Sequence, residues 1–146
     1  MSKKVVKLQF QNEFEFLLAG LISGYKDYRL CFELNTAMKL NFKRNKDVIL
    51  EAGRPGSSTR HSYFIDETRA GVKYHVISNR DKEGTGFLIP EMKNIDFFLI
   101  VSEAPGNYDM EKLIRQAREI EIISGVYEID PYELKSADTF LLILEA

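Results

Sequence analysis

Ile95-Asp96-Phe97-Phe98-Leu99-Ile100-Val101 is the stretch that decides the fold. It is short, aromatic and β-branched, and apolar at consecutive rather than alternate positions, which is the pattern of a strand buried on both faces. A helix-covered sheet with this segment as a central strand is therefore predicted. Upstream lie three β-prone runs, 46–51, 61–65 and 72–77, separated by turn-forming stretches at 53–58 and 66–71. Runs of that kind predict an antiparallel meander. Farther out, 14–22 reads as the first strand, ended by Ser23-Gly24, while 126–129 and 139–144 read as the last two, with a turn at Asp130-Pro131. Leu88-Ile89-Pro90-Glu91 carries a proline that excludes an interior strand position.

Two helices complete the pattern. From Asp27, a good N-cap type, Leu30, Cys31, Leu34, Ala37 and Met38 recur on one helical face, predicting a helix that ends near Asn41. A second is predicted over 108–122, with Met110, Leu113, Ile114, Ala117 and Ile120 on one side and Gly125 as its C-cap. Parallel crossovers would need more helices. The expected class is thus α+β, an antiparallel or mixed sheet of about six strands with two main helices packed on one face.

The chain has 146 residues, enough for a single domain over 1–146, with 1–11 as a flexible N-terminal tail. Apolar residues make up 45% of it, including ten Phe and seven Tyr, so it can bury a core and is neither disordered nor a disulfide-stapled miniprotein. Its one cysteine, Cys31, falls in the apolar helical pattern and reads as a buried thiol. No run approaches the roughly 18 apolar residues of a membrane helix. The basic start meets Lys7, Gln9 and Gln11 before a secretory core can form, which predicts a cytoplasmic address and no membrane partner. Residues 1–73 hold 13 Lys/Arg against 8 Asp/Glu, and residues 74–146 hold 7 against 14, together the net −2. In one globule the two halves interleave, so this asymmetry reads as self-complementation.

Catalytic signatures are sparse. Gly84-Thr85-Gly86 lacks a third glycine and a following helix, and 53–58 lacks a following lysine, so no phosphate cradle is indicated. His61 and His75 fall on separate predicted strands and Cys31 on a helix, which predicts no metal and no cofactor. No Gly-x-Ser-x-Gly elbow occurs, and no catalytic residue is assigned. Glu91 and Asp96, with His75, form an acid–base or ligand set if they converge; the plainer expectation is that Glu91 satisfies loop amides and Asp96 caps a strand. Lys39, Lys43, Arg44 and Lys46, with Arg54 and Arg60 beyond, could track phosphates while Tyr63 or Phe64 stacks bases, although a pI near 5.8 weighs against RNA. Arg29, in the first turn of a helix, opposes the macrodipole and calls for an anionic partner: Glu33 one turn on, Glu91, Asp96 or a ligand. The binding candidates are Tyr28, Arg29, Asn35, Pro90, Glu91 and Lys93.

Residues 27–35 (Asp-Tyr-Arg-Leu-Cys-Phe-Glu-Leu-Asn), Leu88-Ile89-Pro90-Glu91 through Asp96-Phe97, and Leu134-Lys135-Ser136 together resemble the bacterial IPExxxDY family. Phe97 stands where that signature has Tyr, and four residues rather than three separate Glu91 from Asp96. The resemblance covers nearly the whole chain. It implies one domain and a cytoplasmic location, and it implies no activity. The expectation is a small non-enzymatic binding or adaptor protein that presents a sheet edge and the Ile-Pro-Glu loop to a protein partner. RNA or ribonucleoprotein association through the basic cluster is one alternative. A small-ligand binder or enzyme using Glu91, Asp96 and His75 is the other.

Overall fold

The computed structural model describes residues 13–51 and 58–145. The tail expected over 1–11 and most of the turn expected over 53–58 lie outside the described residues. Six strands, β1 (Leu17–Ile22), β2 (Lys43–Glu51), β3 (Ser58–Asp66), β4 (Lys73–Ser78), β5 (Phe97–Ser102) and β6 (Gly125–Ile129), form one sheet in the order β2-β3-β4-β5-β1-β6. Every pairing is antiparallel. Three helices, α1 (Asp27–Met38), α2 (Met110–Arg118) and α3 (Asp138–Glu145), cover it.

All six residues of β5 are buried between β4 and β1. Successive side chains of a strand point to opposite faces. Phe97, Leu99 and Val101 accordingly join a core with Leu30 and Leu34 of α1 and Leu113 and Ile114 of α2. Phe98 and Ile100 join a second core with Leu88, Ile89, Ile95, and Phe140 and Ile143 of α3. That double cover is why the deciding stretch does not alternate. Gly20 of β1 belongs to the second face, where a Cβ would stand 2.7 Å from Ile95 Cδ1; its bareness lets Ile95 pack against the sheet.

The two predicted helices share one face, as expected, but their ends differ from the sequence reading. The N-cap of α1 is Lys26, without a side-chain bond, and Asp27 is its first helical residue, its carboxylate accepting from the Tyr28 amide. Lys39 closes the helix in the left-handed region at φ 56°, its amide donating to the Asn35 carbonyl. Asp109 caps α2 by accepting from the Lys112 amide. That helix stops at Arg118, where the backbone tightens into short turns at 119–123, and the Arg118 guanidinium donates to the Val126 carbonyl. Gly125 therefore opens β6 and caps nothing.

The larger correction is at 139–144, expected to be a strand and found as α3. A strand would have set Phe140, Leu142 and Leu144 on one face. Instead Phe140 and Ile143, three apart, are buried while Leu142 is 67% exposed, which is helical spacing. The Thr139 and Phe140 amides start the turn on the Ser136 and Ala137 carbonyls, and the leucines that follow are strong helix formers. The proline segment is a 3₁₀ turn, Pro90–Met92. Among the described residues no helix is long and apolar enough to cross a membrane.

Candidate functional site

On the face covered by α3, the sheet is only partly roofed. A groove of about 580 Å³ opens between β2 and the C-terminal half of α3, and its floor is formed by β3, β4 and the end of β5. An irregularity in β2 shapes it. Asn45 pairs with Tyr63 and Val48 with His61, so Lys46 and Asp47 together oppose Ser62 alone. This is a β-bulge, which bends and twists the strand that carries it. Asp47, within the bulge, takes Lys82 at 2.9 Å and Arg44 at 2.5 Å, pinning the bend from two sides.

Three side chains from three adjacent strands meet on the floor. The register sets Lys73 opposite Ser102 and His75 opposite both Ile65 and Ile100, so Tyr63, His75 and Ser102 lie along a diagonal of one face. Tyr63 Oη is 2.8 Å from His75 Nδ1, and His75 Nε2 is 2.8 Å from Ser102 Oγ. The Tyr63 and His75 rings are parallel to within 4°. Burial, reinforced by the Lys73 charge, pushes His75 down to about 4, so the imidazole is neutral at neutral pH. Burial, with Glu67 adding to it, pushes the Tyr63 phenol up to about 12. At the rim the Lys73 ammonium lies 3.0 Å from Glu103 and 3.6 Å from Glu67. Glu103 itself has φ 55°, a left-handed conformation at the turn out of β5.

The chemistry of this floor follows from proton counting. A neutral imidazole has one N–H and one acceptor nitrogen. Two hydroxyls and one ring N–H supply three protons, and the two internal bonds consume two. One hydroxyl proton is therefore left to donate at one end of the chain, and an oxygen is left to accept at the other. A base near 4 is poorly matched to proton abstraction at neutral pH, so the arrangement is better suited to holding a ligand than to general-base chemistry.

The residues singled out from sequence are distributed elsewhere. Tyr28 and Arg29 are exposed on α1, where Arg29 takes the intrahelical option, 3.1 Å from Glu33. With Tyr25 and Phe32 they form an aromatic row: Tyr25, Tyr28 and Phe32 are 50%, 66% and 62% exposed, and Arg29 lies 5.7 Å from the Tyr25 ring centre. Asn35 is clamped internally, accepting from the Phe42 amide at 2.7 Å and donating to its carbonyl, which fixes the turn from α1 to β2. Pro90, Glu91 and Lys93 are exposed. Glu91 accepts from the Ser136 amide and hydroxyl at 2.7 and 2.9 Å. Burial resists ionisation there, but the hydrogen bonds from Ser136 outweigh it and hold the carboxyl below its usual range.

Asp96 accepts from the Ser23 amide and from Arg80, so Glu91 and Asp96 engage different partners and do not converge. Of the third set only His75 lies in the groove. In the basic cluster Lys39, Lys43 and Lys46 are exposed, whereas Arg44 pairs with Asp27 and Asp47 and lies over Phe64. Cys31 is buried, and desolvation pushes its thiol well up from the ordinary value. Among the described residues no three His, Cys, Asp or Glu side chains gather as metal ligands.

The sequence reading missed Tyr63 as a partner of His75, and it missed Lys73 and Ser102. The available signal was period-two alternation placing Tyr63 and His75 on neighbouring meander strands, with Ser102 ending the central one. Comparison with family models, curated proteins and solved structures returns no match.

Proposed function

We propose that this protein is a non-enzymatic binding protein whose ligand site is the groove between β2 and α3. The observation that carries the reading is the convergence of Tyr63, His75 and Ser102 on a floor flanked by aliphatic side chains and a charged rim, in a groove whose size falls within the range of small-molecule sites. A neutral histidine bonded at both nitrogens supports positioning rather than proton abstraction. The test is a fragment titration followed by amide NMR, comparing the protein with Leu142→Arg. Residue 142 is exposed at the groove wall, so this change should leave the fold intact while obstructing the mouth. Fragments that shift Tyr63, His75 and Ser102 and lose affinity in the variant support the reading. A set that perturbs none of these residues refutes it.

A protein partner is the second reading, favoured by the aromatic row of α1. Three large rings exposed side by side in sequence, Tyr25 just before α1 and Tyr28 and Phe32 one turn apart on it, are more than solitary surface hydrophobes, and they keep Tyr28 and Arg29 among the contact residues. A bait carrying Tyr28→Ser and Phe32→Ser should lose every saturable partner of the wild-type bait; an unchanged set of partners refutes it. The RNA reading has less behind it, since Arg44 is already matched by two carboxylates. Membership of the IPExxxDY family and a cytoplasmic location belong to the same proposal.

A further inference from the structure

The groove's lining is specific enough to say what kind of molecule suits it, an inference that rests on the binding reading above. Its lining is aliphatic along Val48 and Leu50 of β2, Ile65 of β3, and Leu142 and Leu144 of α3, and polar at the β2 bulge, where Asn45, Lys46 and Asp47 also line it. Its floor is uncharged, because His75 is neutral and Tyr63 and Ser102 are hydroxyls. At the rim Lys73 is already matched by Glu67 and Glu103. An anionic head group seated on the floor beside Lys73 would have to displace a carboxylate from it while facing the other, and Lys46 lies on the β2 side of the groove rather than on the floor. A cationic one would compete with Lys73 and find only neutral dipoles beneath it. Either would lose hydration that the floor cannot replace. Flat heteroaromatic ligands are disfavoured too, since Tyr63 is the lining's one phenyl ring among the described residues and it stands parallel to His75. The Tyr63–His75–Ser102 chain offers one donor at one end and one acceptor at the other, and exchange between the two imidazole tautomers reverses which end is which.

We infer that the groove takes an uncharged, largely aliphatic molecule bearing a carbonyl or hydroxyl group that bonds to Ser102 Oγ, at one end of the Tyr63–His75–Ser102 chain. The probes are four molecules with one tail and different heads: decanamide, 1-decanol, decanoate and decylammonium, each titrated below its aggregation concentration at pH 7.5 and followed through Tyr63, His75 and Ser102 resonances. Decanamide and decanol should bind at least about tenfold more tightly than the two ions. Ser102→Ala should weaken decanamide by roughly 3- to 10-fold, the effect of one lost hydrogen bond, while Leu142→Arg weakens all four. Tighter binding of decanoate or decylammonium at the same resonances overturns the inference and leaves the groove as a binding site. So does an unchanged decanamide affinity in Ser102→Ala. If none of the four perturbs the groove, the inference falls, and the fragment titration alone decides the wider reading.

Discussion

Asn79→Ala should be among the most damaging single changes outside the apolar cores. Asn79 is 0% exposed and holds the Ile-Pro-Glu segment by its side chain: Nδ2 donates to the Met92 and Ile95 carbonyls, both at 2.8 Å, and Oδ1 accepts from the Ile89 amide at 2.9 Å. Truncation removes three hydrogen bonds and leaves the buried Ile89 N–H without its partner. At about 1 kcal/mol for each bond, with a further penalty for the stranded amide, the loss is about 3–5 kcal/mol. That is a large share of the stability of a domain this size. Urea unfolding followed by circular dichroism measures it: the midpoint should fall with the slope unchanged.

Asn79→Asp sharpens the test. It keeps an acceptor for Ile89 but turns the other oxygen toward two carbonyls, so the folded state favours the protonated acid. The folded pKa is then raised above the unfolded one, so the damage should be largest at neutral pH and shrink as pH falls toward 4. A loss below about 1 kcal/mol in Asn79→Ala, or an Asn79→Asp protein no worse at pH 7 than at pH 4.5, would refute the reasoning.

Three other outcomes are expected. His75 titrates near 6.5 when unfolded and about 4 when folded, so the unfolded chain takes up the proton that the native state refuses; the stability His75 contributes is present above pH 6.5 and is lost as pH falls toward 4, about 2 kcal/mol of it between pH 7.5 and 5. His75→Asn should flatten urea-derived stability over that window by this amount, leaving the share of His61, which is also shifted down by burial. Glu91→Ala should free the lead-in to α3, lowering stability by about 1–2 kcal/mol and speeding hydrogen exchange over 134–145; unchanged exchange there would mean that Ser136 is held by something else. Arg29→Ala should shift stability by less than about 0.5 kcal/mol, because its pair with Glu33 is solvent-exposed, and thermal melts that differ measurably would contradict this.

The α+β class, the antiparallel meander and the two helices on one face were legible because each element has its own periodicity. The segment 139–144 was not, since a short run of Phe, Leu and Ile suits a strand and a buried helix equally until the rest of the fold shows which side chains find a core. Asn79 lay hidden for a related reason: it follows the predicted run 72–77 among polar residues with no pattern of its own, yet tertiary packing buries it as a hydrogen-bonding hub. The two carboxylates singled out by chemistry, Glu91 and Asp96, bond to separate internal partners and do not come together. The candidate site instead depends on strand register, which sets Tyr63, His75 and Ser102 along one diagonal and which no spacing in the sequence encodes directly. Lys46 and Asp47 read as the start of a regular strand, and nothing in their types announces the extra residue between paired neighbours.

That extra residue ties two properties together. Because β2 is an outermost strand, the same kink that holds the groove open also spoils the flat ladder another chain would need for edge-to-edge pairing. An insertion or deletion of one residue there would reshape the cavity and the molecule's tendency to self-associate in a single step, so lineages or engineers retuning ligand preference through β2 should find solubility moving with it.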